Sequence, residues 1–299
     1  MARIYAVVVP KGGSGKTTTA QNLGMEFARK GERVLFVDSD PQANLSAILG
    51  YRHKRGQPTL YSAIRQFAES YETRLPLYQM PSGVWLIAAS MALNKANDEL
   101  ANVPRREFVF QRLLEPLLNR FDRMIIDTLP YLGVLVNNAL AVSHEVIVPV
   151  QAEPLGIASA GMLLQHLQDM YKARLVEDLQ IAGGLITMVD KRTVLNTQMA
   201  DLARSELGPH IGFFTTQIER SIQFPESQFY RQPIGLYSPR GKGTSAYHAL
   251  AQEVIDGKQC VSVKDIHVPA NFADTLLQAA EEQVQSDKPE MMLEEIDIG

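Results

Sequence analysis

Residues Tyr5 to Gln21 constrain this chain more than any other stretch. Tyr5-Ala6-Val7-Val8-Val9-Pro10 is a continuous apolar run, the pattern of a strand covered on both faces in a parallel sheet. Lys11-Gly12-Gly13-Ser14-Gly15-Lys16-Thr17-Thr18-Thr19 follows as a glycine-rich turn, and a helical pattern opens after it. Strand, glycine-rich loop and helix in that order are the context a phosphate-binding loop requires. Gly12, Gly13 and Gly15 let the backbone curl so that its N–H groups converge on an anion. The helix beginning near Lys16 adds free N–H groups and its positive end. Lys16 supplies a point charge for the β- and γ-phosphates, and the Thr17 hydroxyl suits Mg²⁺. A solvated glycine-rich turn would not need all three signals to coincide.

Two later strands end in carboxylates. Arg33-Val34-Leu35-Phe36-Val37 leads into Asp38-Ser39-Asp40-Pro41-Gln42, and Phe121-Asp122-Arg123-Met124-Ile125-Ile126 leads into Asp127-Thr128. In open parallel sheets, ligands sit beyond the carboxyl ends of the strands. Asp38, Asp40 and Asp127 are therefore expected beside the phosphates. The second segment has the Walker B pattern, in which the carboxylate holds Mg²⁺ through a water. Read in isolation, Asp-Ser-Asp-Pro is equally well a turn that caps the next helix.

The strict phosphate-loop pattern G-x-x-x-x-G-K-[ST] needs glycine where Pro10 stands, and a second lysine, Lys11, heads K-G-G-S-G-K-T-T instead. This deviant Walker A loop, with V-D-x-D-P-Q-x-N at 37–44, resembles the ParA/MinD superfamily, and ParA-type DNA-partitioning ATPases in particular. The resemblance implies ATP and Mg²⁺ as cofactors and an ATP-dependent homodimer in which Lys11 reaches the partner's nucleotide. It implies that Asp40 orients the attacking water and that Asp38 lies near Mg²⁺. It places the nucleotide base against the segment after strand 185–190, with Asp190 as a hydrogen-bond acceptor and Pro225 in the loop at the adenine edge. Glu153 and Pro154 fall where the dimer interface would be. Two positions depart from the family pattern: Leu129 replaces a proline after Asp127-Thr128, and Glu219 stands where P-R-[SN] has its proline.

Strand and helix patterns alternate from residue 2 to about 255. That predicts an α/β fold, a mostly parallel, doubly wound, P-loop NTPase-like sheet in one domain. Helices are expected over 17–30, 59–69, 106–119 (with Pro116 kinking or ending it), 156–174, 193–207 (closed by Gly208-Pro209) and 246–255. Residues 1–257 form the expected ATPase domain. Residues 258–299 are an acidic extension with one amphipathic helix at 271–284 and a mobile end from about Gln285.

Charge sorts the possible partners. Between Val261 and Gly299, nine carboxylates oppose Lys264 and Lys288, a balance of −7. The total is −4, so residues 1–260 carry +3. A mildly basic body suits nucleic acid, although acidic tails are commonly just solvated. Arg192, Arg220, Arg231, Arg240 and Lys242 are the candidate contacts to DNA phosphates, without base readout. The chain starts at its first strand, so no helix-turn-helix and no sequence-specific operator binding are expected. The single cysteine, Cys260, excludes an internal disulfide and a cysteine-held cluster of the nitrogenase-reductase type. The acidic end Glu294-Glu295-Ile296-Asp297 argues against a MinD-like basic membrane helix. The expectation is a cytoplasmic, nucleoid-associated partition ATPase that binds DNA nonspecifically as its ATP dimer and is stimulated by a ParB-like partner. A MinD-like positioning ATPase or a metabolic enzyme of the same fold is the alternative.

Overall fold

The first apolar run forms the middle of a sheet, as its lack of polar alternation requires. A computed structural model describes residues 1–72 and 74–286. Its elements are β1 (Arg3–Val7), α1 (Lys16–Arg29), β2 (Val34–Asp38), α2 (Asn44–Ile48), α3 (Leu60–Ser70), β3 (Tyr78–Gln79) and β4 (Trp85–Ile87). Then come α4 (Ala96–Leu100), α5 (Val109–Leu114), β5 (Arg123–Asp127), α6 (Val134–Val142), β6 (Glu145–Gln151), α7 (Pro154–Lys172) and β7 (Gln180–Val189). The chain continues with α8 (Val194–Ile211), β8 (Phe213–Glu219), α9 (Gln223–Phe229), α10 (Ile234–Tyr237), α11 (Lys242–Asp256), β9 (Val261–Ser262) and α12 (Phe272–Ser286).

The strands lie in the order β3-β4-β2-β5-β1-β6-β7-β8. All neighbours are parallel except β3 on β4 and β9 on β7, the two short antiparallel additions. β1 therefore sits between β5 and β6, and Val7 is in register with Asp127 on one side and Ile147 on the other. Asp38 of β2 is in register with the same Asp127. The three strand ends that were expected to meet are adjacent.

Both faces of the sheet are covered. On one face Ile4, Ala6, Val37, Ile126 and Val148 pack under α3–α8 and α12. On the other, Tyr5, Val7, Phe36 and Ile125 pack under α1 and α11, through Leu23, Phe27, Tyr247 and Leu250. Gly24 sets the distance between α1 and β2, because a Cβ there would lie 2.3 Å from the Phe36 ring. The described part of the C-terminal extension belongs to the same body. α12 buries Phe272, Leu276 and Ala280 in the core beside α7. The expectation of a mobile end concerns residues that, from 287, lie outside the described ones.

Several boundaries differ from expectation. The helix expected over 106–119 is α only at Val109–Leu114, with 3₁₀ turns at Arg106–Phe108 and Glu115–Leu117. Pro116 lacks an N–H and its ring crowds the preceding turn, so the helix tightens before it. α8 instead passes through Gly208-Pro209 and stops at Gly212, where φ is +57°. Burial of Leu207 and Ile211 outweighs the cost of the proline. Pro225 lies inside the first turn of α9, where a proline is tolerated, and not in a loop. β7 begins five residues earlier than expected, and its glycines Gly183-Gly184 hide that part from a β-propensity reading.

Candidate functional site: a phosphate cradle beside a basic cleft

The glycine loop closes on itself between β1 and α1. Gly13 and Gly15 have φ of +74° and +89°, values a side chain would strain. Gly15 is the N-cap of α1, so the free N–H groups of that helix face the loop. Lys16 Nζ donates to the Lys11 carbonyl at 2.6 Å, and the Ser14 hydroxyl donates to the same oxygen at 3.2 Å. Thr187 of β7 donates to the Ser14 carbonyl at 3.0 Å and fixes the loop from the far side. Lys16 is nearly buried, and burial lowers its pKa against the opposing pull of Asp127 and Asp40. Gly12, Gly13, Gly15, Lys16, Thr17 and Thr18 line a cleft of about 510 Å³, into which Asp40 also opens.

The three carboxylates differ in how they are satisfied. Asp38 is fully buried and accepts from the Ser46 N–H (2.7 Å), the Ser46 hydroxyl (2.6 Å) and the Asp40 N–H (3.2 Å). Burial still pushes it up to about 7. Asp127 is equally buried, and neither of its oxygens has a hydrogen-bond partner. Burial, then Asp38, raises its pKa well above the ordinary value, with Thr17 and Lys16 opposing. A buried carboxylate left bare beside a hydroxyl and an ammonium fits a hydrated Mg²⁺, which supplies the compensating charge. Among the described residues no group of three or more His, Cys, Asp or Glu could hold a metal. Mg²⁺ takes one or two carboxylates and completes its shell with water and phosphate oxygens. Asp127 and Thr17 would hold it, with Asp38 kept alongside by Ser46. Asp40 is partly exposed, and its Oδ1 accepts from the Gln42 N–H at 2.8 Å.

Lys11 points elsewhere. Its Nζ donates to Gln151 Oε1 at 2.8 Å and pairs with Glu153 at 2.6 Å, at the junction of β6 and α7. Gln151 in turn donates to Glu153 at 2.8 Å. Of the two lysine side chains, that of Lys16 bonds within the loop and that of Lys11 bonds outside it.

On the other side of the loop lies a cavity of about 530 Å³, lined by Gly15, Thr18, Met188, Asp190, Pro225 and Tyr247 among others. Asp190 and Pro225 thus share one cavity with the loop residues Gly15 and Thr18. Asp190 is already paired in a fork with Arg192, at 2.9 and 2.7 Å, and Arg192 holds its carboxyl at about 2. Beyond this cavity opens a larger cleft of about 760 Å³ with Lys191, Arg220, Arg240 and Lys242 on its walls. Four of the five residues expected to meet DNA therefore lie at or beside these cavities. Arg231 lines neither and sits after α9 with φ of +55°.

Sequence reasoning missed several residues. Ser46 holds Asp38 and also accepts from the Ala89 N–H at 3.0 Å, which joins the strand ends of β2 and β4. Its only signal was a hydroxyl eight residues after Asp38. Gln228 donates to Thr18 at 2.8 Å, and Asn22 accepts from the Ile234 N–H at 2.7 Å, so α1 is bonded to the α9–α10 segment. At the Leu129 departure, Leu129 is buried in the core, and Thr128 donates to the Val7 carbonyl at 2.7 Å.

A parallel sheet with a phosphate cradle after β1 and carboxylates at the ends of β2 and β5, that of Asp127 bare, defines a P-loop nucleotide-binding protein. A family profile described as an AAA domain matches residues 2–181. The sporulation initiation inhibitor protein Soj of Bacillus subtilis is 35% identical over 85% of this chain and 98% of its own length. The chromosome partitioning protein ParA of Myxococcus xanthus is 34% identical over 85% of this chain and 88% of its own. Among solved structures, cobyrinic acid a,c-diamide synthase from Mycobacterium smegmatis with bound ADP and magnesium superposes with a TM-score of 0.72. It is 29% identical and covers 90% of this chain and 100% of its own. The chain belongs to the ParA/MinD superfamily of ATPases. It is an ATPase whose cofactors are ATP and Mg²⁺.

Proposed function

We propose that this ATPase is a DNA-partition switch. ATP and Mg²⁺ seat on the loop, two chains close face to face, the closed dimer holds DNA through its phosphates, and hydrolysis reopens it. A ParB-like protein is the stimulating partner, and the nucleoid in the cytoplasm is the place of action. The observation that carries the reading is the shared wall between the base cavity and the basic cleft: Glu219, Arg220, Ser221 and Ile222 line both. A nucleotide in one cavity therefore bears on the cations of the other.

Within the site, loop N–H groups and Lys16 stabilise charge on the transferred phosphoryl group, and Asp40 orients water. Mg²⁺ supplies further charge neutralisation there. Lys11 serves the partner's nucleotide, for which it must leave Glu153. Relatives named as chromosome partitioning proteins support the same reading. Among the described residues no helix is long and apolar enough to cross a membrane.

The test is binding of nonspecific duplex DNA with ATP, with ADP and without nucleotide, over a salt series. ATP-dependent binding that weakens steeply with salt is expected. Absent or nucleotide-independent binding would refute the switch. Light scattering with Lys11→Ala checks the trans lysine: ATP-dependent dimerisation should be impaired, and unchanged dimerisation would remove that role.

A further inference from the structure

The basic cleft carries a negative charge at its centre. Glu219 ends β8, and its carboxylate pairs with Lys191 at 2.6 Å and with Lys242 at 3.3 Å. Those lysines come from the β7–α8 loop and from the first residue of α11, so one carboxylate bridges two elements. The lysine side chains are 62% and 88% exposed against 30% for Glu219, so the acid is the recessed partner and the cations reach outward. Among the described residues Arg220 and Arg240, on the same walls, form no ion pair. Among the described residues the cleft thus offers two guanidinium groups outside any ion pair beside two ammonium groups that share one carboxylate. Glu226, the other acid on its wall, is engaged by the Tyr237 hydroxyl at 2.8 Å.

Exposed pairs of this kind hold their partners weakly and exchange readily with a competing anion. A backbone phosphate presents the same chemistry to Lys191 and Lys242 that the carboxylate does. Glu219 also lines the base cavity, so it stands where nucleotide occupancy and cleft charge meet. We propose that Glu219 is an intramolecular competitor for the DNA backbone, a carboxylate that occupies Lys191 and Lys242 in the free chain and must yield them before phosphate binds. This rests on the DNA-binding reading above. It assigns a regulatory role to the residue at which this chain departs from the P-R-[SN] pattern. Such a competitor sets the affinity low enough for the complex to dissolve when the nucleotide state changes.

The test compares Glu219→Gln with the unaltered chain by fluorescence anisotropy, using a labelled 24-base-pair duplex of arbitrary sequence, with ATP and Mg²⁺, over a salt series. Glutamine keeps the shape and removes the charge. The substitution should tighten binding by about three- to tenfold at low salt and steepen the salt dependence by about one unit of slope, as one further phosphate contact would. In the Glu219→Gln background, Lys242→Gln should weaken binding by a larger factor than in the unaltered chain, because the lysine then no longer serves the acid. Thermal melting of each variant checks that the fold is kept. Equal or weaker binding by Glu219→Gln, or equal effects of Lys242→Gln in both backgrounds, would overturn the competitor while leaving the DNA reading in place. DNA binding by neither protein would overturn both.

Discussion

The two ends of the central strands treat charge in opposite ways. At the amino ends of β1, β5 and β6, cations and anions meet in pairs. Arg3 pairs with Glu145, Arg123 with Glu32 and the Tyr5 hydroxyl, and Arg33 with both oxygens of Asp122. At the carboxyl ends of β1, β2 and β5, Asp127 is bare, Asp38 is held near neutrality, and Lys16 rests on a carbonyl. One end carries its charges as pairs; the other leaves a buried carboxylate without a hydrogen-bond partner near a buried ammonium. A single sheet thereby separates the groups that hold the fold from the groups that wait for chemistry.

That contrast can be broken most directly at Lys16. Lys16→Ala removes the cation at the phosphates, and nucleotide affinity should fall by about two orders of magnitude or more, as read by titration calorimetry. Asp127→Asn comes next. Turnover should drop about a hundredfold, while the nucleotide-free protein gains a few degrees in Tm because an uncompensated buried charge is gone. A lower Tm would mean that Asp127 is satisfied in the free chain. At the opposite end the signs reverse. Arg123→Ala should cost about 1–3 kcal/mol in denaturant unfolding, since it strands Glu32 and the buried Tyr5 hydroxyl, yet leave nucleotide affinity unchanged.

The smallest effect belongs to Arg33. Hydrogen bonds from Arg33 hold the exposed Asp122 carboxyl at about 2, below its ordinary 3.8. A depressed acid stabilises the fold above its unfolded value, and that contribution disappears as pH falls from about 4 to about 2. The Tm gap between the unaltered chain and Arg33→Ala should therefore be small at neutral pH and close over that interval. A gap that persists at pH 2 would point to packing of the Arg33 stem.

How much of this was readable beforehand follows from sequence distance. The cradle is local: strand, glycines, Lys16 and Thr17 fall within one short stretch, so the chain order carries the geometry. Asp38, Asp40 and Asp127 were legible because parallel strands deliver their last residues to one edge. The lock on Lys11 was not, since Gln151 lies 140 residues away and a glutamine at the end of a strand does not by itself announce a distant lysine. Ser46 required knowing that α2 turns back onto β2. The short strands β3 and β9 hold two residues each, too few for any period to register. Pro209 misled because a local rule yielded to the burial of Ile211.

The close approach of α12 to α7 has a mechanical consequence. A Cβ on Gly161 would lie 2.6 Å from Leu276 Cδ1 and 3.2 Å from Ala273 Cα, so the two helices are pressed together as nearly as backbone allows. α7 starts beside Glu153, which grips Lys11. α12 is thus the anvil against which α7 bears. A chain stopped at Gly257 would lose that backing, and α7 would bear on β6 and α8 alone among the described elements it packs against most.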